Sequence, residues 1–559
     1  MPRPGAFRRG MTRRTFLEFG ALGMGAGLLT ACSAPTAPPP ATPLPTAAPP
    51  TVAPTAAAAA TVAPTSTRQP AAAAPTSTAQ PAAQIPKSGG TLRIGVGAEP
   101  ANMDGQILAQ PQRDVMWLFF DRLIELDPSD QPQPMLATSW ELGSDGRQMK
   151  VNLRHDVQLH SGRELTSDDV KWSLDRTHDP TSGNGTLVSS TTLLQEVQIP
   201  DKYTLILNFA QPWPGFFDVL ETINIIDAQS PFKDRPVGSG PFKFVDYAPS
   251  DHLRLAKNQS YWRPGKPYFD ELLVKFFKDQ QAMVAQLEGG ALDVVDSPPT
   301  PDAVRLQGDA NYQVLSNQYT GTYVMIAANV RNPPLDNKVV RQALNYAIDR
   351  DRILATAYSK FGDARVQIWP STSPWYDPGQ AHAYAFSLDQ TTKLLEQAGV
   401  SGLETELTWR TNASESALVA QIYQADLAKI GVKLNLKPLE AAVWNEYAIS
   451  GQFGGLSIAN ANGANLSMNA AAVGTWVSPD NGITGFRSDA WSDLAKRVLS
   501  ETDPARQKMI AVELDQFLLD QSWMMPLVSL PPKIIARKDL QGLSFNQHET
   551  ATYYDAWFG

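Results

Sequence analysis

The sequence predicts a mixed α/β protein in which an α+β portion is followed by a portion built on a parallel sheet. Before residue 320, short segments alternate apolar and polar residues as strands do, and helical segments interrupt them without a strict repeat. Between Leu407 and Leu436, a strand–helix–strand pattern is typical of a βαβ unit. Residues 87–559 are numerous enough for two or three domains, and two lobes account for the change in pattern.

The N-terminus has the pattern of an export signal. Arg13 and Arg14 precede an apolar stretch, Phe16–Leu29, and small residues lead from it to Cys32, the only cysteine of the chain. The stretch is shorter than the about 20 apolar residues that a membrane span needs. Residues 12–17 resemble a twin-arginine motif, and residues 29–32 resemble a bacterial lipobox, whose cysteine becomes the lipidated N-terminus. We therefore expect Cys32 to be the lipid attachment site.

The segment from Ser33 to Pro86 is almost wholly Ala, Pro and Thr and contains no aromatic residue. Such a composition has nothing to bury and favours extended, polyproline-like conformations, so the segment is predicted to be a disordered linker. At about 3.1 Å per residue it could span at most on the order of 150 Å. It would hold the folded part away from a lipid anchor.

In the first folded portion, the pattern predicts a strand over Thr91–Val96 and a helix over Val115–Leu123. Asp145-Gly146 is a turn dipeptide between alternating segments and predicts a hairpin. Thr166 is expected to cap a helix whose first turn carries Asp168 and Asp169.

In the second portion, Tyr323–Ile326 is predicted to be a strand, and Lys338–Arg352 a helix with apolar residues at helical spacing. Leu407–Trp409 is a strand, Ala417–Ile430 a helix, and Val432–Leu436 a second strand. Because a strand–helix–strand connection of this length joins parallel neighbours, a parallel sheet is expected here.

The charge of the chain excludes one class of partner. Without residues 1–32, which hold five arginines and one glutamate, the 47 basic and 56 acidic residues of the chain reduce to a net charge of −13. Nucleic acids select clustered positive charge, so a nucleic-acid partner is not expected. With Cys32 lipidated, no cysteine remains for a disulfide or a thiolate metal site.

The sequence offers no candidate catalytic constellation. His155 and His160 are five residues apart across a strand and a turn, a spacing that does not suit a metal pair, and a structural role is expected for His160. Asp168 and Asp169 are adjacent on a helix and point about 100° apart, so they do not form a facing carboxylate pair. Gly238-Ser239-Gly240 is not followed by Gly-Lys-Ser/Thr, and no nucleophile elbow occurs. We expect no enzyme activity, no metal and no cofactor; an extracellular hydrolase is disfavoured.

Several stretches resemble the extracellular solute-binding proteins of ABC importers, in particular the dipeptide/oligopeptide/nickel-binding family, family 5. The matching stretches, in the order in which the family carries them, are Leu136–Ser173, Val237–Phe244, Asn258 with Tyr261-Trp262, Arg341–Arg350 and Leu394–Gly399. The resemblance spans essentially all of residues 89–545. It implies the two-lobed periplasmic-binding-protein fold of the class with an extra subdomain in lobe I, and two hinge crossings.

The resemblance also implies domain boundaries and a role. Residues 1–32 would be the signal peptide, 33–86 the linker, 87–318 lobe I with 529–559 returning to it, and 319–528 lobe II. The protein would be a monomeric, lipid-anchored receptor, periplasmic or on the outer cell surface. It would touch the membrane only through its anchor, capture a small solute between closing lobes and deliver it to permease and ATPase subunits. The alternative is a sensory or adhesive surface protein on the same fold.

Aromatic and amide side chains are the candidate ligand-binding groups. The predicted set is Trp409, Arg410, Asn412, Asn460, Asn462, Trp476 and Tyr319. Peptide-binding members of the family carry, after a Gly-rich strand, an Asp that pairs with the peptide amine, whereas residues 456–465 contain no acid here. Because a buried ammonium without a carboxylate is costly, we expect no free peptide amine at this position. An oligosaccharide, a polyol or an opine-like solute suits this segment as well as a peptide does.

Overall fold

A computed structural model describes residues 85–100, 102–106, 112–127, 131–179, 191–213, 215–230, 235–317, 321–411, 413–462, 476, 482–501, 503–546 and 549–559. The predicted signal, the lipid attachment site Cys32 and almost all of the linker therefore lie outside the described residues, as do Tyr319 and Asn412. Residues 81–559 form one compact unit.

The strands are short and follow one another along the whole described chain. In order they are β1 (Thr91–Val96), β2 (Ile124–Leu126), β3 (Pro132–Pro134), β4 (Ala137–Leu142), β5 (Gln148–Leu153), β6 (Leu194–Asp201), β7 (Thr204–Phe209), β8 (Phe242–Ala248), β9 (His252–Lys257), β10 (Glu271–Phe276), β11 (Val294–Asp296), β12 (Tyr312–Ser316), β13 (Thr322–Ala328), β14 (Glu404–Arg410), β15 (Lys433–Leu439), β16 (Leu456–Asn462), β17 (Met524–Ser529), β18 (Lys533–Arg537), β19 (Leu540–Gln541), β20 (Ser544–Phe545), β21 (Ala551–Thr552) and β22 (Trp557–Phe558).

The helices lie between these strands. They are α1 (Gln112–Met116), α2 (Ser167–Arg176), α3 (Phe216–Leu220), α4 (Gln280–Glu288), α5 (Thr300–Leu306), α6 (Lys338–Tyr346), α7 (Arg350–Ala357), α8 (Leu388–Gln397), α9 (Ser414–Lys429), α10 (Ala441–Trp444), α11 (Asp489–Ser500) and α12 (Pro504–Gln521), with a 3₁₀ turn at Pro378–Gln380 and a π-helical turn at Asn445–Ile449.

Lobe I is built on a seven-stranded sheet of order β12-β18-β11-β1-β10-β9-β8. Strand β1 runs parallel to both β10 and β11, whereas β18, from the C-terminal part of the chain, is antiparallel to β11 and β12. Apolar residues cover both faces, since Ile534 and Ala536 of β18 belong to one buried cluster and Ile535 to another.

A second, four-stranded antiparallel sheet of order β4-β5-β7-β6 forms a subdomain of lobe I with its own apolar core. The predicted hairpin at Asp145-Gly146 joins β4 and β5. Gly146 has a φ of 67°, a conformation that glycine adopts without strain, and the Gly143 N–H donates to the Gln148 carbonyl at 2.8 Å across the turn.

Lobe II is built on a five-stranded sheet of order β15-β14-β16-β13-β17. Strand β14 is parallel to both β15 and β16, which confirms the predicted parallel arrangement, and β13 is antiparallel to β16 and β17. Side chains alternate between the faces along each strand. On β13, Val324 and Ile326 pack into the cluster that also contains residues of α6, α7 and α9, while Tyr323 and Met325 pack into the cluster that contains residues of α11 and α12.

Two predicted helices have different bounds in the structure. The predicted helix Lys338–Arg352 is two helices, because the Asp349 carboxylate accepts the Arg352 N–H at 3.1 Å and so caps a new helix, α7. The helix predicted to reach Leu123 ends at Met116. Beyond it, the Phe119 carbonyl accepts the N–H of Gly240 and the Leu118 carbonyl accepts the N–H of Phe242, the first residue of β8, so neither bonds within its own helix.

None of the helices in the described ranges combines the length and the apolar character that crossing a membrane requires.

Candidate functional site

The candidate site lies at the edge of the lobe II sheet where the parallel strands β14, β15 and β16 end. Their last residues are Arg410, Leu439 and Asn462. Ligands of open α/β sheets bind outside the carboxyl ends of the strands, because loops there can surround a ligand without interrupting the sheet. In the register between β16 and β13, Asn462 lies opposite Thr322, the first residue of β13. The edge therefore adjoins the segment that enters lobe II.

Two connections join the seven-stranded sheet to the five-stranded sheet. One lies between β12, which ends at Ser316, and β13, which begins at Thr322; the other runs from Ser529, the end of β17, to Lys533. We call the described residues of these connections, 316–317 with 321–322 and 529–533, the crossing segments. They are hydrogen-bonded to each other, since the Asn317 N–H donates to the Pro532 carbonyl at 3.3 Å and the Leu530 N–H donates to the Thr322 carbonyl at 2.9 Å. Paired connections of this kind allow two rigid lobes to rotate about a common line.

A carboxylate from the C-terminal part of the chain holds the start of β13. Glu549 accepts the Thr322 N–H at 2.9 Å and the Thr322 hydroxyl at 2.6 Å. The neighbouring Thr550 hydroxyl donates to Asp114 Oδ1 at 2.7 Å. Glu549 was not among the predicted site residues, because no local pattern relates it to a residue 227 positions earlier.

Arg410 packs on an aromatic pair. Its guanidinium carbon lies 4.2 Å from the centroid of the Trp444 ring, and the Trp444 and Trp476 centroids are 6.0 Å apart. Both tryptophans are buried, while the Arg410 side chain reaches solvent. Partial burial lowers the pKa of the guanidinium from its ordinary value. No carboxylate in the described part of the chain pairs with Arg410. The charged contact of its guanidinium there is the cation–π contact with the Trp444 ring.

Trp409 and Asn460 belong to the opposite face of the sheet. Trp409 is buried in the cluster that contains Leu407 and Tyr423. Asn460 is exposed on β16, opposite Val324 of the same face. The structure thus brings Arg410 and Trp476 together through Trp444 and separates them from Trp409, as the alternation of side chains along β14 requires.

Of the other predicted residues, Asn462 is the last residue of β16. Trp444 was not among the predicted site residues. Its place under Arg410 depends on the position of helix α10 between β15 and β16, which spacing alone does not reveal.

Lobe I contributes a pair of acids near the crossing segments. Asp296 ends β11, where its carboxylate accepts the Ser297 hydroxyl at 3.1 Å and the Tyr553 hydroxyl at 3.3 Å. Burial, followed by the negative charge of Asp114, raises the pKa of Asp296 to about 7.

The residues considered for catalysis or metal binding have structural partners. His160 Nδ1 accepts the Gly238 N–H at 3.4 Å, which leaves Nε2 to donate to the Gly240 carbonyl at 2.9 Å. Burial lowers the pKa of His160 to about 4. Asp169 completes the capping box with Thr166 and pairs with Arg163. Across the described ranges, no three His, Cys, Asp or Glu side chains are grouped in a way that could hold a metal ion.

Comparisons with known proteins agree with this architecture. Residues 131–482 match the family described as bacterial extracellular solute-binding proteins, family 5 Middle. Heme-binding protein A of Haemophilus influenzae is 29% identical over 369 residues, which cover 60% of this chain and 67% of that protein. A probable di/tripeptide-binding protein 5 of Pseudomonas aeruginosa is 26% identical over 478 residues, covering 77% of this chain and 88% of the relative.

The solved structure of the periplasmic binding protein AgaA from A. tumefacien R10, in complex with agropinic acid, superimposes with a TM-score of 0.73 at 24% identity. The superposition covers 84% of this chain and 99% of AgaA. It shows that the two chains share the two-lobed fold.

Proposed function

Because the chain belongs to the bacterial extracellular solute-binding proteins of family 5, a family of transport receptors and not of enzymes, we propose that it captures a small solute between its lobes and delivers it to the permease of an ABC importer. One observation carries the proposal at the level of residues. Arg410, seated on Trp444 beside Trp476, lies at the carboxyl edge of the lobe II sheet and has no carboxylate partner in the described part of the chain. A cation and flat apolar surface at the end of a strand are suited to orienting a solute.

The solute is proposed to be peptide-like, or an opine-like, oligosaccharide or polyol compound. The di/tripeptide name of one relative and the agropinic acid in the AgaA structure favour solutes of this size. Strand β16 ends in Asn460, Ala461 and Asn462, and no acid occurs between residues 456 and 465. A free amine would lack a carboxylate at this position, so neutral hydrogen-bonding groups are expected to lie there.

The proposal includes two predicted site residues that lie outside the described ranges. Asn412 directly follows β14 in sequence, and Tyr319 lies between β12 and β13 in sequence. Trp409 and Asn460 would contact the solute from the other face of the sheet, at the same edge.

We propose that the protein acts outside the cytoplasm and is attached to the membrane by a lipid anchor. The family is named for extracellular proteins. The lipobox-like residues 29–32 would attach the chain through Cys32, and the twin-arginine-like residues 12–17 would direct its export. The chain is proposed to act as a monomer.

A distance measurement between the lobes tests the proposal. Val245 of β8 and Met509 of α12 are exposed, and Cys32 is the only native cysteine, so Val245→Cys with Met509→Cys accepts a donor–acceptor dye pair in the full chain. Energy transfer is recorded with tripeptides, N-acetylated tripeptides, opines and oligosaccharides, after native mass spectrometry for any retained molecule. We expect at least one solute to shift the transfer and to leave the protein unchanged. Arg410→Met should weaken that response about tenfold.

The control is Arg487→Met, which removes an exposed arginine of lobe II whose described side-chain hydrogen bond goes to the adjacent Phe486 carbonyl. A protein that keeps the same transfer with every solute and retains none, or that converts one of them chemically, would disprove the proposed function. A solute response in a strain whose genome places no permease genes nearby would favour the sensory alternative.

A further inference from the structure

Lys533 lies at the end of the crossing segment 529–533, where the chain enters lobe I. Lys533 is the first residue of β18, its carbonyl accepts the Ser297 N–H at 3.0 Å, and in the ladder it lies opposite Ser316. Its backbone is thus part of the lobe I sheet. Its side chain, however, meets lobe II, because Nζ lies 5.4 Å from the centroid of the Phe361 ring in the loop after α7.

The ammonium of Lys533 is partly buried without an ion pair. No carboxylate of the described residues lies within 4.0 Å of it. Glu415, in the first turn of α9, is the acid that acts on it electrostatically, and burial lowers the pKa of Lys533 by more than this acid raises it. By comparison, Lys338 pairs with Asp520 at 2.9 Å. An ammonium that loses water without gaining a counter-charge is destabilising, and a ligand that supplies the counter-charge regains that free energy.

The surroundings of Lys533 belong to both lobes. Strand β18 comes from lobe I, whereas Phe361 and Glu415 come from lobe II, and α9 begins just beyond the carboxyl end of β14. The same corner therefore borders the candidate site. On a chain whose mature part carries a net charge of −13, anions are repelled on average, so an unpaired cation here selects acidic groups locally.

We propose that Lys533 is a specificity-determining contact of the solute site, where its ammonium pairs with a carboxylate of the solute, and that the transported solutes are therefore acidic compounds. This inference rests on the proposed function. It adds a ligand contact that moves with lobe I, in contrast to Arg410, which moves with lobe II.

Matched acid and amide probes test the inference on the full-length protein. The pairs are N-acetyl-trialanine with its C-terminal amide, and glutarate with glutaramide, measured by titration calorimetry and by the dye pair. We expect the wild type to bind the acid of at least one pair about tenfold or more tightly than its amide. Lys533→Met should reduce this preference to about twofold. Lys538→Met, which removes an exposed charge shortly after the same strand, should leave it unchanged.

A chemical footprint supplies a second measurement on the unaltered chain. An amine-acetylating reagent is applied with and without the acid that binds, and modification of Lys533 and Lys538 is compared by mass spectrometry. We expect the acid to protect Lys533 alone.

The outcomes separate the two proposals. If the amides close the lobes as well as the acids do, if no acid is preferred, or if Lys533→Met keeps the preference, the inference about Lys533 is wrong while the receptor function stands. If Lys533 reacts equally with and without a bound acid, the inference is again wrong. If no solute of any class changes the distance between the dyes, the receptor function itself fails.

Discussion

The buried ring of His160 should lower the free energy of unfolding as the pH falls below about 6.5. His160 holds the turn at residues 238–240, with the Gly238 N–H donating to Nδ1 and Nε2 donating to the Gly240 carbonyl. A protonated ring could no longer accept the Gly238 N–H. Burial keeps the ring neutral and holds the pKa of His160 at about 4 in the folded chain, against an ordinary value of 6.5.

The sign and the size of the effect follow from proton linkage. Because the folded-state pKa is lowered, the contribution to stability is fully present above pH 6.5 and is lost as the pH falls toward 4. At pH 5 the unfolded chain binds the proton and the folded chain does not, which lowers the free energy of unfolding by about 2 kcal/mol relative to pH 7.5. His160→Gln keeps an amide nitrogen as donor and removes the titration, so its stability should lack this component.

The assay is guanidinium denaturation of wild type and His160→Gln at pH 7.5, 6.0 and 5.0. The difference in free energy of unfolding between the two proteins should change by about 2 kcal/mol across this range. Buried carboxyls such as Asp296 titrate in both proteins and cancel in the difference. His155→Gln serves as the control, since that ring is exposed and stacks on Tyr203. Parallel pH profiles for wild type and His160→Gln would refute the reasoning.

Three further substitutions have expected outcomes that denaturation curves can check. Thr322→Val removes the hydroxyl that donates to Glu549 at 2.6 Å and should lower the free energy of unfolding by about 1–2 kcal/mol. Arg331→Met removes donors to the carbonyls of Gly482 and Ile483, the latter at 3.1 Å, and should cost about 2 kcal/mol. Burial raises the pKa of Asp515 to about 7, so the wild type should gain about 1 kcal/mol as the pH falls from 8 to 6, and Asp515→Asn should lack that gain.

Each of these has a matched control at an exposed position. Thr552→Val removes a hydroxyl whose hydrogen bond to Ser544 is exposed, and Arg487→Met and Asp493→Asn remove exposed charges; each should change the free energy of unfolding by less than about 0.5 kcal/mol. Equal effects at the two members of a pair would mean that the hydrogen bonds and burial described above do not set the stability.

Much of the fold could be predicted from local patterns. The segment from Leu407 to Leu436 repeats apolar residues at strand, helix and strand spacing, and the structure has β14 and β15 parallel there. The hairpin turn at Asp145-Gly146 could be predicted because the preference for this turn lies in the two residues themselves. The predicted helix Val115–Leu123 was wrong beyond Met116. There, at Leu118 and Phe119, tertiary hydrogen bonds replace helical ones, and apolar spacing does not reveal such partners.

The candidate site, too, could be predicted from the sequence only in part. Alternation along β14 implies that Trp409 and Arg410 face opposite sides of the sheet, so their separation was available from the sequence. The contact between Arg410 and the Trp444 ring could not be predicted from the sequence, because it depends on the path of the chain between β15 and β16. The domain boundaries and the predicted ligand contacts remain predictions.

By itself the sequence determined the mixed α/β class, the resemblance to family 5, the net negative charge of residues 33–559 and the absence of an acid between residues 456 and 465. These properties depend on composition and on neighbours within a few positions. Only the tertiary structure decided that Glu549 holds Thr322 and that Lys533 faces Phe361 across the crossing. Such contacts join residues far apart in the chain, and they form only when folding brings the crossing segments together, which no single segment encodes.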